Sequence, residues 1–145
     1  LLALAGEAAE SLQSAAAARI VTVTVEGEPV ELTGVRRLLY EIVFNLCDNA
    51  IKYNTDGGRV QVAVTKENET AAVTVRDTGI GIPPDQQDRV FERFYRVDKS
   101  HSKASGGTGL GLSIVKHAVQ YHHGTIHLQS EVGKGTEIRV TFPVA

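Results

Sequence analysis

Five residues about a third of the way along the chain have the types and spacing to do chemistry together: Glu41, Asn45, Asp48, Asn49 and Lys52. If that stretch is a helix, turning about 100° per residue gathers them into roughly a third of the circumference. Carboxylate and carboxamide oxygens are hard donors that suit Mg²⁺, and a lysine ammonium meets a phosphate as a point charge. Most of the remaining surface is apolar, with Leu39, Val43, Phe44, Leu46, Cys47, Ala50 and Ile51; Leu38 and Ile42 intrude at the stripe's edge. A surface helix has the opposite balance. A buried polar stripe has to be satisfied, and a ligand carrying phosphates and a metal would do so. Taken alone, the stripe fits a solvated face equally well.

Two glycine-rich loops add to it. In Asp77-Thr78-Gly79-Ile80-Gly81-Ile82 the carboxylate can accept a hydrogen bond from an exocyclic amine such as adenine's. The glycines there would let backbone approach a flat ring; a plain turn has the same composition. Gly107-Thr108-Gly109-Leu110-Gly111-Leu112 runs into a helical pattern. Amides exposed ahead of a helix N-terminus bind phosphate, although a hinge reads the same way. Ile114 stands where a dinucleotide fingerprint needs its third glycine, and no Gly-Lys-Ser/Thr follows to make a Walker A loop. Between the loops, Phe91, Phe94 and Tyr95 precede the cations Arg96, Lys99 and Lys103. An aromatic anchor with a basic loop suits a lid over phosphates; a core pair beside a solvated loop is the plainer alternative.

The elements that must position these residues follow from periodicity and breakers. Leu2, Leu4, Leu12 and Ala15 predict a helix over 1–18. Alternation of Ile20, Val21, Val23 and Val25 predicts a strand over 19–25, with a short second strand over 30–32 after the turn at Glu26-Gly27-Glu28-Pro29. The striped helix spans about 35–53 and stops at Asn54-Thr55-Asp56-Gly57-Gly58. Strands over 59–66 and 70–76 form a hairpin, a short helix begins near Pro83, a longer one runs over 109–122, and two strands close the chain over 125–130 and 137–142. Interleaved helices with hairpin-paired strands argue for helices on one mixed sheet.

The bulk numbers agree with one compact domain of 145 residues, 42% hydrophobic and 22% charged. A net charge of −2 gives no footprint for nucleic acid or an acidic lipid surface. The single Cys47 excludes an intrachain disulfide and a cysteine-based zinc site. No apolar run approaches membrane-spanning length and no signal peptide is visible. With no methionine and an opening Leu-Leu-Ala-Leu, the chain reads as a domain from a larger protein, with 1–18 as a possible junction to a preceding domain.

Taken together, the motifs resemble the histidine-kinase branch of the ATP-binding superfamily shared with gyrase B, Hsp90 and MutL. The resemblance rests on five boxes in order. These are Glu41-x-x-x-Asn45-x-x-x-Asn49-Ala50-x-Lys52-Tyr53, Asp77-Thr78-Gly79-Ile80-Gly81-Ile82, Phe91-Glu92-Arg93-Phe94-Tyr95-Arg96, Gly107-Thr108-Gly109-Leu110-Gly111-Leu112 and Gly133-x-Gly135-Thr136. It implies a two-layer α/β sandwich, about three helices on a mixed five-stranded sheet. It implies that Asn49, with Asn45, holds Mg²⁺ and that Lys52 and Arg96 meet the phosphates of ATP. Tyr53, Ile82 and Phe94 would line the nucleotide site, and Asp77, with Gly79 and Gly81 beside it, would read the adenine amine. Gly107, Thr108, Gly109, Leu110, Gly111 and Leu112 would shape the phosphate loop, and Thr136 would lie near Asp77. Glu41 would be the general base toward the attacking imidazole.

The same resemblance implies a cytoplasmic, monomeric domain with no membrane contact of its own, in a membrane-anchored parent. Its partners would be a histidine-bearing dimerisation domain and a response-regulator receiver domain. Departures are Val35, where the family often has Asp, and Asn54, where Ser or Thr is common. The five histidines, His101, His117, His122, His123 and His127, lie outside any phosphoacceptor context. The domain is therefore expected to bind Mg-ATP without phosphorylating itself. A serine kinase of the anti-sigma-factor type, or an ATPase that dimerises on ATP, are the rival expectations.

Overall fold

The computed structural model describes residues 1–18, 20–32, 34–87, 91 and 111–144. The order is α1 (Leu2–Ser11), α2 (Gln13–Ala18), β1 (Thr22–Gly27), α3 (Arg36–Lys52), β2 (Arg59–Glu67) and β3 (Thr70–Asp77). A 3₁₀ turn (Pro84–Gln86), α4 (Gly111–Tyr121), β4 (Thr125–Glu131) and β5 (Gly135–Pro143) complete it. The five strands form one sheet in the order β1-β2-β3-β5-β4. β1 runs parallel to β2 and every other pair is antiparallel, so the sheet is mixed as expected.

Strand periodicity explains which face is covered. Val62, Val75, Ile138 and Leu128 align in one row across four strands, and Val64, Val73, Val140 and Ile126 in the next. These rows face the helices: Val62, Val64, Val73 and Val140 are fully buried, and Ala71 and Phe142 extend the same face. The alternate positions Arg76, Arg139, His127 and Gln129 are exposed.

α3 lies in the helix layer against α1, α4, β2 and β3. It buries Leu39, Ile42, Val43, Leu46, Cys47, Ala50 and Ile51. Burial, with a smaller push from Asp48, raises the Cys47 thiol to about 12, so it behaves as a small apolar core group. The α3 N-cap, Val35, makes no side-chain capping bond; its N–H donates instead to His122 Nε2 at 3.0 Å.

Three expectations change. The helix over 1–18 is broken at Leu12, yet both pieces belong to the common core through Leu4, Ala5, Ala8, Leu12 and Ala16. Ile20 is not in a strand: it sits at φ 56° in the turn that ends α2. Residues 30–32 form no strand either. The chain leaves β2 just after Gly27, Pro29 has no N–H to offer a ladder, and the Val30 carbonyl accepts from Leu1 N at 2.9 Å.

Candidate functional site

The third row of the sheet ends differently from the other two. Val60, Asp77, Thr136 and Ser130 are aligned across β2, β3, β5 and β4. Asp77 follows Val73 and Val75 by steps of two, so alternation turns its carboxylate toward the helix-covered face. It is half-buried there. Asp77 Oδ1 accepts from Gly79 N at 2.9 Å and from Thr136 N at 3.2 Å. Burial raises its pKa to about 6, and those two backbone bonds pull the other way. Among the described residues no hydrogen bond reaches Oδ2, which leaves an acceptor for a ligand amine.

The loop after Asp77 is pinned from three sides. Ile80 N donates to Tyr53 O at 3.1 Å, tying the loop to the end of α3. Gly133 N donates to Ile80 O at 2.9 Å and Ile82 N to Ser130 Oγ at 2.7 Å, tying it to the β4–β5 turn. Gln87 Nε2 reaches both Ile82 O and Ser130 O, at 2.9 and 3.1 Å. The glycines serve this packing. A Cβ on Gly79 would lie 2.4 Å from Tyr53 O, and one on Gly81, at φ 77°, would lie 2.2 Å from Glu131 O. Close approach of protein backbone, rather than of a flat ring, is what these two positions demand.

Asn54, 3% exposed, braces the same corner. Its side chain donates to Arg59 O at 3.0 Å and accepts from Thr55 N at 2.8 Å. The residue that stands where Ser or Thr is common is thus a structural tie between α3, β2 and the loop.

From this corner the polar stripe of α3 leads away: Lys52, Asn49, Asp48, Asn45 and Glu41 are all half-buried. At about 1.5 Å per residue the stripe is roughly 16 Å long. Its internal bonds are local. Asn45 Nδ2 donates to Glu41 O at 2.7 Å, and Lys52 Nζ pairs with Asp48 at 2.9 Å. These leave the carboxamide oxygens of Asn45 and Asn49 as hard donors. Among the described residues no cluster of three or more His, Cys, Asp or Glu forms a metal cage.

Tyr53 is half-buried at the α3 C-cap, and Ile82 is half-buried in the loop. Gly111 opens α4, followed by a half-buried Leu112, so the second glycine box does run into a helix. Phe94, Arg96, Gly107, Thr108, Gly109 and Leu110 lie outside the described residues. Sequence reasoning missed Ser130, Gln87 and the brace of Asn54. Only Ser130 had a signal: it continues the alternation of Ile126 and Leu128.

His122 uses both ring nitrogens internally, on Val35 N and Ala118 O, which fixes it as the neutral Nδ1–H tautomer. Its ring also meets Phe142 edge-on. His117, His123 and His127 are exposed. Among the described residues no helix is long and apolar enough to cross a membrane.

Comparison with known proteins agrees with this geometry. Residues 34–145 match the model of the family described as histidine kinase-, DNA gyrase B- and HSP90-like ATPase. The chain is 48% identical over 106 residues to the sensor histidine kinase RppB of Synechocystis, covering 73% of this chain and 23% of that protein. It is 47% identical over 105 residues to the sensor histidine kinase WalK of Bacillus subtilis, covering 71% and 17%. It therefore spans well under a third of these relatives' length. Among solved structures it superposes on the mycobacterial sensor histidine kinase MprB with a TM-score of 0.84 at 30% identity, over 97% of this chain and 91% of that one. Full-length ShkA in complex with AMPPNP gives 0.85 at 26% identity, over 99% and 30%. With its family model matched over most of its length and its sheet carrying the acidic corner described above, the chain belongs to the histidine kinase-, DNA gyrase B- and HSP90-like ATPase family of ATP-binding domains.

Proposed function

We propose that the chain binds ATP with Mg²⁺ and donates the γ-phosphoryl group to a histidine on a separate dimerisation domain of a sensor histidine kinase. The observation that carries this reading is the corner where the Asp77 row meets the end of α3. An amine acceptor at one end and a stripe of hard oxygens and a cation leading away match the order base, then phosphates. The AMPPNP complex of ShkA supports the same choice of ligand.

In this reading Asp77 Oδ2 accepts from the adenine amine, with Tyr53 and Ile82 walling the base. Lys52 neutralises phosphate charge once a phosphate competes with Asp48 for its ammonium. Asn49 and Asn45 would hold Mg²⁺ through their side-chain oxygens, and the ion would supply positive charge against the transferring phosphoryl group. Glu41, at the far end of the stripe, receives a proton from the attacking imidazole. Arg96, Phe94 and the Gly107–Leu112 box complete the phosphate side by family resemblance.

The acceptor histidine lies on a partner: His122 is held between Val35 N and Ala118 O, and the other histidines stand outside any phosphoacceptor context in the sequence. A receiver domain then takes the phosphoryl group onward. Calorimetric titration of ATP and ADP, with and without Mg²⁺, tests the site. Incubation with γ-labelled ATP tests the transfer: the isolated chain should stay unlabelled, and label should appear on an added histidine-bearing dimerisation domain. A base-stable phosphoprotein formed by the chain alone would overturn the division of labour.

A further inference from the structure

Ser130 Oγ sits at a junction of three hydrogen bonds. It accepts from Ile82 N at 2.7 Å, donates to Gly135 O at 3.0 Å and lies 2.8 Å from Thr136 Oγ1. A hydroxyl has one proton. A carbonyl cannot donate, so that proton is committed to Gly135 O. The proton between the two hydroxyls must then come from Thr136. Thr136 Oγ1 is left with lone pairs only toward the remaining side. Thr136 stands next to Asp77 in the same row, on the same face of the sheet. Its backbone N–H is already spent on Asp77 Oδ1.

We infer that Ser130 is a positioning residue that sets base selectivity by fixing the direction of this hydrogen-bond chain. With Ser130 in place, Thr136 Oγ1 and Asp77 Oδ2 form a pair of neighbouring acceptors. Such a pair favours a base that presents a donor, the 6-amino group of adenine. It disfavours a 6-oxo purine, which would set oxygen against oxygen. Removing the Ser130 hydroxyl frees the Thr136 proton to turn toward the ligand and donate to an oxo group. The inference rests on the ATP-binding reading above.

The test is the ratio of dissociation constants for ATP and inosine triphosphate, which share the sugar and phosphates. It is measured by calorimetry on wild type, Ser130→Ala, Ser130→Thr and Thr136→Val, with thermal melts alongside. In Ser130→Ala the preference for ATP should fall by about tenfold, the scale of one hydrogen bond lost or gained. Ser130→Thr, which keeps the hydroxyl, should retain the wild-type ratio. Thr136→Val should reduce the ratio without disturbing the Ile82 N–H bond, and adding Ser130→Ala to it should change the ratio no further. A purely structural Ser130 would weaken both nucleotides equally; an unchanged ratio in a folded Ser130→Ala protein overturns the inference. If Ser130→Ala does not fold, an unchanged ratio in Thr136→Val overturns it instead. Failure of wild type to bind ATP at all would strike the functional reading, and this inference with it.

Discussion

The two ends of the site are built differently. At the end proposed for adenine, Asp77, Thr136, Ser130, Ile82, Gln87 and Asn54 are tied by hydrogen bonds that cross from one element to another. Along α3, among the described residues, Asn45 bonds only to its own helix and Lys52 only to Asp48 one turn away. A cross-linked corner holds its shape before ligand arrives, so little ordering cost remains for the base. A stripe satisfied locally can exchange an internal partner for a phosphate or a cation. The end proposed for the base is thus preorganised, and the end proposed for the phosphates adapts.

Breaking the rigid end should have the largest effect. Asp77→Asn should lower ATP affinity by about a hundredfold or more, because a buried site made to accept from an amine then presents a carboxamide. Its effect on stability should go the other way. Burial raises the folded pKa of Asp77 to about 6 from 3.8, so the fold opposes the charged form. That cost is fully present above pH 6 and is relieved as pH falls toward 4. Asn keeps an oxygen for Gly79 N and Thr136 N and carries no charge. Asp77→Asn should therefore be more stable than wild type at pH 7.5, by on the order of 1–3 kcal/mol, and the difference should shrink by pH 4. Urea melts at both pH values check this; a destabilised variant at neutral pH would mean the carboxylate is paid for by contacts in the fold.

On the adaptable end, Asn49→Ala should cost about 10–100-fold in ATP affinity with Mg²⁺ present and little with chelator, since a bond to a charged group is worth about 1.5–3 kcal/mol. Equal losses in both conditions would move Asn49 from the cation to the base or sugar. pH separates the ends again at a smaller scale. Below pH 6 the Asp77 carboxylate takes up its proton and loses its acceptor character. Affinity should fall roughly tenfold by pH 5, about one decade per unit below the pKa. Adenosine, with no phosphate to titrate, isolates the effect: a flat profile for adenosine alongside a falling one for ATP would place the titrating group elsewhere.

How much of this was legible follows the same divide. The stripe of α3 was readable because helical periodicity is local: positions 41, 45, 48, 49 and 52 share a face whatever the rest of the chain does. The sheet corner needs register, which brings residues as far apart as Val60 and Ser130 into one row. A serine at the end of a strand looks like an exposed polar residue until its row is known. The glycines stand out in the sequence, but the neighbours that require them, the Tyr53 and Glu131 carbonyls, are revealed by no local pattern. Near the N-terminus apolar alternation misleads at Ile20 and Val30, where one residue closes a helix and the other fills the core from a loop.

Ile20 offers the smallest and most local test, far from either end of the site. Val21 N donates to Ala16 O at 2.9 Å and Ile20 N to Ala17 O at 3.1 Å, the paired bonds of a helix terminated through a left-handed residue. His123 holds the same place after α4, with Gly124 N on Val119 O and His123 N on Gln120 O. A histidine tolerates that backbone region; a β-branched side chain is strained in it. The Ile20 side chain is 67% exposed, so glycine would remove little packing. Ile20→Gly should stabilise the fold by about 0.5–1 kcal/mol after allowing for the extra freedom of glycine in the unfolded chain, and by more than His123→Gly does. ATP affinity should not change. A loss of stability in Ile20→Gly would mean that the isoleucine contributes more through its contacts than its backbone strain costs.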